Sequence, residues 1–446
     1  MGREIIPPEL DLFAAEDTMM SISDYHYEKV QCRTALSDVD YPAVLELSAP
    51  PTKTHYTSLK DSFLVVKCKF IKADGSDLGA APVISTVQAP LHSLFRSVDM
   101  WLNNVKITPP EINQHYISWF EQFLYPEHSQ KTYMQLGGWY PDNYSSIAAL
   151  NQSDPTEKAA DKNEGLTQRS LLFGSGRECT LMGKLYSVPH KINRLLPPNV
   201  RLDWSLHTNP YELFAMHKAA ATKDQYRFVI TEASIWLKRV SVNPGAMIAH
   251  NNLLATRNML FPVRYLETRT LDLMRSSFNF RFPNIFTGNK VPLALYALFI
   301  ETESKQGHLQ KNPYTLQHCN LSEIRCSLGS KIVPTIMYKL DPTNYNTEEA
   351  LANTLLSLEA YGSNTGPAQL TRETFTMGAF VVGFDLTRDS RPLSASYINS
   401  NYEASSVHLE GSFSKALDKN ITLMVLGVFN GRLELNRFLE PVTTFN

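Results

Sequence analysis

A ten-residue pattern that occurs twice, 226 positions apart (324 − 98 = 226), limits the folds open to this chain more than any other feature of its sequence. Residues 98–107 read VDMWLNNVKI and residues 324–333 read IRCSLGSKIV, and the two segments align without a gap. In both, the apolar residues alternate with other residues on either side of a central pair. Each pattern predicts a β-hairpin, and a hairpin repeated half a chain apart indicates a duplicated β domain.

Both patterns centre on residues that suit a two-residue hairpin turn. Asn103 and Asn104 tolerate the positive φ that such turns need, and Gly329 with Ser330 occupies the same place in the second copy. Apolar residues at helical spacing over positions 116–124 then predict a short amphipathic helix behind the first hairpin. The proline that follows the second hairpin is expected to end its return strand, with another helix after it.

The remaining sequence favours an all-β protein, because short strand-like segments follow one another with turns between them. Together with the duplication, they predict two tandem eight-stranded jelly-roll sandwiches, a double jelly roll, with short helices in the loops. The turn sequence NPG at 243–245 marks the boundary between the halves. We divide the chain into an N-terminal arm at 1–30, a first jelly roll at 31–243, a second at 244–437 and a C-terminal tail at 438–446.

The two ends of the chain are interpreted as arms. The N-terminal arm contains apolar anchors without a settled period, and Pro7 and Pro8 exclude an ordinary central strand. This arm is either a disordered terminus or a segment that docks on a neighbouring subunit. The tail from Phe438 onward is interpreted as a second arm.

Two polar stretches, 136–176 and 387–406, show little pattern. Connections of this length in a compact domain are usually functional excursions rather than core. Near the end of the chain, the dipeptide NG at 430–431 is the strongest hairpin signal in the sequence. It predicts that the apolar strand at 421–429 turns back on itself there.

The charge balance argues against a protein that packages nucleic acid directly. The chain of 446 residues carries 42 basic and 44 acidic side chains, and its N-terminal arm is acidic rather than basic. Its five cysteines are scattered without a C-x-x-C pair, which predicts free, mostly buried thiols in a reducing compartment. No secretory segment occurs, and no apolar run is long enough to cross a bilayer, so neither a signal peptide nor a membrane span is expected.

No catalytic or cofactor-binding motif is present in the sequence. It contains no G-x-x-x-x-G-K-[ST], no H-E-x-x-H and no G-x-S-x-G, and its twelve histidines are dispersed. His92 and His318 match in the repeat, but the repeat places them in separate sandwiches. We interpret each as a structural histidine that bonds a backbone carbonyl near its hairpin. No enzyme activity, cofactor or metal is therefore expected.

Exposed apolar side chains are the remaining candidates for a functional role, because exposed aromatics more often mark protein contacts than ligand sites. Trp101 falls on the outer face of its hairpin, and Trp139 lies in a glycine-rich stretch, so both are expected to be exposed. The candidate subunit-contact residues are these tryptophans and apolar residues of the two arms: Leu10, Leu12, Phe13, Trp101, Trp139 and Phe438.

The sequence resembles one family along most of its length. The similarity lies in IPPELDLF at 6–13, LHSLFRSVD at 91–99, KNPY at 311–314, FDLT at 384–387 and the segment 428–437. Their order and spacing resemble the hexon-type double-jelly-roll major capsid proteins, most of all those of Polinton-like elements, adintoviruses and adomaviruses. The stretch from 136 to 176 shows the least similarity.

The resemblance implies a structural component of an icosahedral DNA-virus capsid, located in the virion. Such proteins form homotrimers whose six jelly rolls give a pseudo-hexagonal outline that tiles the shell. The resemblance also implies vertex (penton) and minor capsid proteins as partners and no cofactor. It places the long loops at the outer surface or against neighbours, and the terminal arms toward the interior.

Two other functions remain open on the sequence alone. Some peptide-glycan amidases use two jelly rolls, although these are secreted and the expected absence of a signal peptide argues against this function. A carbohydrate-binding module or a host-domesticated capsid relative acting in recognition is the other alternative. A stable trimer would favour the capsid function, and a monomer with affinity for glycans would favour recognition.

Overall fold

The computed structural model of the chain describes residues 21–79, 83–124, 131–156, 162–218, 223–286, 290–359, 370–387 and 406–445. The described residues of the first half form ten strands: β1 (Ile22–Gln31), β2 (Val44–Ala49), β3 (His55–Lys72), β4 (Ile84–Thr86), β5 (Phe95–Leu102), β6 (Val105–Lys106), β7 (Cys179–Lys184), β8 (Leu202–Thr208), β9 (Ala215–His217) and β10 (Tyr226–Val242). Nine more strands lie in the described part of the second half: β11 (Met259–Leu273), β12 (Asn279–Phe282), β13 (Ala294–Glu301), β14 (Leu321–Leu328), β15 (Lys331–Lys339), β16 (Val381–Asp385), β17 (Val407–Phe413), β18 (Ile421–Leu435) and β19 (Pro441–Phe445).

The strands form two sandwiches with one topology. In the first half the sheet orders are β1-β10-β3-β7 and β2-β8-β5-β6, and in the second half they are β11-β18-β13-β16 and β12-β17-β14-β15. The two halves have the same sheet orders, with β11, β18, β13 and β16 in the places of β1, β10, β3 and β7, and β12, β17, β14 and β15 in the places of β2, β8, β5 and β6. All of these neighbouring strands pair antiparallel. This is the strand order of an eight-stranded jelly roll. The predicted double jelly roll is confirmed, with a β4-β9 ribbon and β19 added.

Helices occupy the connections between the strands. They are α1 (Pro90–Ser93), α2 (Gln114–Leu124), α3 (Lys131–Leu136), α4 (Ile147–Leu150), α5 (Glu164–Leu172), α6 (Tyr211–Phe214), α7 (Pro244–Leu254), α8 (Thr302–Gln306), α9 (Glu348–Ser357) and α10 (Arg372–Met377). Helix α7 lies between the last strand of the first jelly roll and the first strand of the second. The side chain of Asn243 caps it by accepting a hydrogen bond from the amide of Gly245.

Both predicted hairpins form at the predicted positions. The bounds of strands β5 and β14 differ by the offset of the repeat at both ends (321 − 95 = 328 − 102), and their buried residues follow the same alternation. Asn103 and Asn104 have φ of 45° and 68°, and Gly329 has φ of 58°. The return strands differ, because β15 continues through Pro334 to Lys339 rather than ending at the proline. It does so across an irregularity in its pairing with β14.

The predicted hairpin at Asn430-Gly431 is wrong. Strand β18 runs straight through both residues, which pair with β11 on one side, and Gly431 also pairs with Phe445 of β19 on the other. A Cβ on Gly431 would lie 3.1 Å from ring atoms of Tyr265 and of Phe445. The glycine is therefore needed for close packing under two aromatic rings rather than for a turn.

The two arms are shorter than the sequence predicted. Residues from Ile22 onward form β1, which pairs along its length with β10 as part of the first sheet. The tail folds back after Asn436, and β19 extends the sheet of the second jelly roll. Both strands are exposed or half-buried along most of their length, so their apolar residues do not show the alternation of a strand with one buried face.

The excursion at 136–176 packs on both halves of the chain. Ser85 of the first half donates a hydrogen bond to the carbonyl of Leu166 in α5, and the amide of Asn312 in the second half donates to the side chain of Asn151 after α4. Trp139, which was expected to be exposed, is a core residue with 1% of its surface accessible. Gly138, at φ of +78°, ends the turn after α3 and approaches side chains of Pro90 and Leu181 closely. The same glycines that suggested an exposed loop allow the chain to turn inward. The excursion at 387–406 falls, apart from Thr387 and Ser406, outside the described residues.

Candidate functional site

The described part of the chain shows no arrangement suited to metal or cofactor chemistry. Within it, no three His, Cys, Asp or Glu side chains lie together as ligands for a metal ion. All five cysteines are free thiols, and burial raises the pKa of Cys326 to about 12, which keeps its thiol protonated. Among the described helices, none has both the length and the apolar character needed to cross a membrane.

The matched histidines lie in separate jelly rolls, as expected, and are structural. His92 is 5% exposed, lies against the ring of Tyr186, and has its pKa lowered to about 3 because burial disfavours the charged imidazole. The Nδ1 atom of His318 accepts a hydrogen bond from the amide of Asn320 at 3.0 Å. The predicted bond was to a backbone carbonyl, whereas this one is to a backbone amide, for which Nδ1 acts as the acceptor.

Helix α2 makes an aromatic contact between the jelly rolls, and we call this helix, with the residues it meets and the polar groups beside it, the joint. All eleven residues of α2 are buried. The ring of Trp119 stacks on that of Tyr314 from the second jelly roll, with centroids 5.6 Å apart and planes 6° apart. The ring centroids of Phe120 and Tyr296 are 4.7 Å apart. The hydroxyl of Tyr116 donates a hydrogen bond to the carbonyl of Pro313. The predicted helix therefore forms, and its aromatic residues join two domains.

A buried ion pair forms one polar part of the joint. Arg169 Nη2 lies 2.5 Å from Asp142 Oδ1, with both side chains fully buried. The guanidinium also donates to the carbonyls of Thr86 and Tyr140, at 2.8 and 2.7 Å. The other carboxylate oxygen of Asp142 accepts a hydrogen bond from Asn312 Nδ2 at 2.9 Å, across the boundary between the halves. The KNPY segment noted in the sequence thus supplies both polar and aromatic contacts to the joint.

A second polar link crosses the joint at Glu111. Its carboxylate accepts hydrogen bonds from the amides of Asn113 and Thr268, at 2.8 and 3.0 Å, and Thr268 belongs to the second jelly roll. Burial raises the pKa of Glu111, while these hydrogen bonds oppose that rise. The joint therefore combines aromatic packing with fixed polar contacts, which hold the two sandwiches in one arrangement.

Two of the sequence-predicted contact residues lie near a second contact between the halves. Trp101 is half-buried on the outer face of β5, with Lys106 Nζ 5.9 Å from its ring. Asn103, in the adjoining turn, donates a hydrogen bond to the carbonyl of Leu439 at 2.9 Å. The residue before Leu439, Phe438, is 66% exposed. Leu10, Leu12 and Phe13 lie outside the described residues, and Trp139 is buried elsewhere in the core.

A group of exposed and half-buried aromatic residues was missed from the sequence. It lies on the outside of the sheet formed by β1, β10 and β3, and we call it the aromatic face. Trp236 lies opposite Phe63 in the next strand, and the rings of Tyr27 and Phe63 are 5.9 Å apart. The aromatic face comprises Tyr25, Tyr27, Phe63, Tyr133 and Trp236, of which Tyr25, Tyr27 and Trp236 are 58%, 41% and 37% exposed. The alternation YHY at 25–27 was the available signal.

Comparison with known proteins identifies the fold. No family model and no curated protein sequence matches the chain. A chain in the cryo-EM structure of the Sputnik virophage matches with a TM-score of 0.66 and 11% identity, over 99% of this chain and 92% of that one. The mavirus major capsid protein matches with a TM-score of 0.56 and 12% identity, over 99% and 93%. The Faustovirus major capsid protein matches with a TM-score of 0.58 and 8% identity, over 96% of this chain and 92% of that one.

These similarities extend over nearly the whole of each chain, so both jelly rolls and the connection between them are shared. At such low identity they establish the fold and not the activity. The class of protein defined by the fold is the double jelly roll found in these viral capsid chains.

Proposed function

We propose that this chain is a viral major capsid protein, a structural building block rather than an enzyme. The observation that carries the proposal is the use of one jelly-roll topology twice in a chain whose fold matches capsid proteins from end to end. The proposed function needs no metal or cofactor, because shell assembly requires matching surfaces instead of a reactive site.

The duplication has a direct use in such a shell. Three chains with two similar sandwiches each supply six sandwiches around one axis, so a homotrimer has nearly six-fold sides. A lattice of such blocks requires the two halves of each chain to keep a fixed relative position. The joint provides this, because aromatic pairs each contribute about 0.5–1.5 kcal/mol beyond the burial of their area.

The aromatic face is the surface we assign to contact between chains in the trimer. Tyrosine and tryptophan are enriched at protein interfaces, where they bury a large area with few rotatable bonds. Lysines lie beside the rings: Lys238 is 5.0 Å from the centroid of Tyr25, and Lys184 is 5.7 Å from that of Tyr133. A second copy of the chain, rather than a small ligand, suits an exposed aromatic surface of this kind.

Further partners belong to the proposal through the same argument. A closed icosahedral shell needs a different protein at its five-fold vertices, and minor capsid proteins commonly join the blocks. The location that follows is the virion. Trp101 and Phe438, at the exposed contact between the halves, are the residues we assign to such lattice contacts.

The mass of the purified protein in solution tests the proposal. Multi-angle light scattering on the full chain is expected to give three times the chain mass of 50.4 kDa. A monomer at all concentrations that also binds glycans on an array would contradict the capsid function and support recognition instead.

A further inference from the structure

A groove of about 630 Å³ lies beside α7, and we call it the α7 groove. Its walls come from the first residues of β1, the C-terminal half of α7 and the start of β11, so both jelly rolls contribute. Leu254, Leu260 and Phe261 give it an apolar lining. A volume in this range is large enough for several bulky side chains.

Helix α7 has too little support from the described residues to explain its stability. It has eleven residues, and only Leu254 is buried. Ile248 and Leu253 are 59% and 55% exposed, and Leu260, on the opposite wall, is 42% exposed. A helix of about 12 residues or fewer is marginal in water unless an apolar face is packed. Some further apolar segment is therefore needed to cover the α7 groove.

We propose that residues 5–13 of the same chain, IIPPELDLF, dock in the α7 groove. Ser21, the first described residue, lies in the wall of the groove, so the N-terminal arm begins at the site itself. Eight steps separate Phe13 from Ser21 (21 − 13), which allows a reach of roughly 26–29 Å. Because the arm is tethered beside the groove, its effective concentration there is roughly in the millimolar range. Docking of the arm therefore needs no second chain.

Charge complementarity supports this occupant. The groove is lined by Arg194, His250 and Arg257, and none of its lining residues is acidic. The guanidinium of Arg257 forms no ion pair with any described residue, whereas the docking segment carries Glu9 and Asp11. The two prolines of the segment favour an extended chain that presents side chains rather than backbone donors. The docking segment, with apolar residues separated by acidic ones, therefore matches the α7 groove, which has an apolar lining and basic residues.

The docked arm would tie the two jelly rolls together at a point distant in sequence from the joint. Arg194, from the first jelly roll, already donates a hydrogen bond to the carbonyl of Leu260, from the second, at 2.6 Å. The arm would lie over this contact and shield it from water. The inference does not depend on the capsid function, because it concerns the folding of one chain.

Photo-crosslinking in the full-length chain tests the proposal. Leu12 is replaced by p-benzoylphenylalanine, the protein is irradiated, and the crosslinked peptides are mapped by mass spectrometry. The expected crosslinks fall on residues 253–261. In a mixture of ¹⁴N- and ¹⁵N-labelled chains, they are expected to join peptides with the same label.

Matched variants identify the groove as the cause. Leu253→Arg places a charge in the lining and is expected to lower the crosslink yield about tenfold. Asn252→Arg, at an exposed position outside the lining, is expected to leave the yield unchanged. Arg257→Glu replaces the unpaired cation and serves as the test if Leu253→Arg unfolds the protein, with circular dichroism as the check on folding. Crosslinks to another surface, crosslinks between chains, or a yield that Leu253→Arg and Arg257→Glu do not change would each overturn the proposal.

Discussion

Arg169 and Asp142 belong to the polar part of the joint, and neither side chain is exposed to water. The guanidinium meets one carboxylate oxygen and two carbonyls, and the second carboxylate oxygen meets Asn312. A buried ion pair is stable only when its remaining hydrogen-bonding capacity is also satisfied, and this arrangement meets that condition. The pair therefore fixes the position of the excursion relative to both jelly rolls.

Arg169→Met tests this role, because methionine keeps much of the side-chain length but leaves Asp142 as an uncompensated buried charge. We expect the free energy of unfolding in urea to fall by about 3–5 kcal/mol. The control is Arg201→Met, which removes an exposed partner of Asp203 and is expected to change the stability by no more than about 1 kcal/mol. Equal losses in the two variants would contradict a special role for the buried pair.

At the scale of elements, the two hairpins have the same backbone arrangement but different residues in their turns. Gly329 occupies the place of Asn103 (103 + 226 = 329), and both have positive φ. Asparagine and glycine tolerate this region, whereas a β-branched residue clashes with its own backbone there. The choice of turn residue is therefore exchangeable between the copies, but only within this small group.

We expect Gly329→Val to destabilise the second jelly roll by at least about 1–2 kcal/mol, the strain of a left-handed residue. Gly329→Asn copies the first hairpin and is expected to stay within about 1 kcal/mol of the original protein. Thermal unfolding followed by circular dichroism compares the two. Unchanged melting of the valine variant would show that the turn does not need positive φ.

The elements that the sequence predicted correctly share one property: their local pattern and their environment agree. Strand β14 alternates because one face is buried, and Gly329 is in a turn because that turn needs it. The errors arose where distant residues decide the outcome. The need for glycine at position 431 comes from the rings of Tyr265 and Phe445, which pack against it. Tyr265 is far away in the sequence, and Phe445 lies beyond a turn. No local pattern contains that information.

The candidate site shows the same division. The aromatic residues of α2 were predicted to pack, since their helical spacing is a local signal. Their partners Tyr296 and Tyr314 were not predicted, because the contact depends on how the two halves meet. Trp139 was misplaced since a glycine turn can direct the chain outward or inward, and only the packing of Gly138 decides between them.

At the scale of the whole molecule, one sheet of the first jelly roll is covered on one side by its sandwich partner and carries the aromatic face on the other. In the proposed homotrimer, contact with the next chain would cover this face and would remove exposed tyrosine and tryptophan from water. The joint keeps the second jelly roll at a constant distance and angle from that contact. The proposed assembly would therefore depend on both features together.

A double substitution on the aromatic face, Tyr27→Glu with Trp236→Glu, is expected to give a folded monomer, because burying two carboxylates in an interface is strongly unfavourable. Val39→Glu with Met274→Glu is the control, since both residues are exposed but lie outside the aromatic face. Light scattering should show a trimer for the control and a monomer for the variant, with melting checked for both. A trimer in both would place the contact elsewhere.

The shape of the purified oligomer tests the central claim most directly. Class averages from electron microscopy of the full chain, viewed along the symmetry axis, should show a three-fold particle with a nearly hexagonal outline made of six sandwich densities. Particles with two densities, or an oligomer of any other symmetry, would contradict the assignment of this chain as the building block of a capsid.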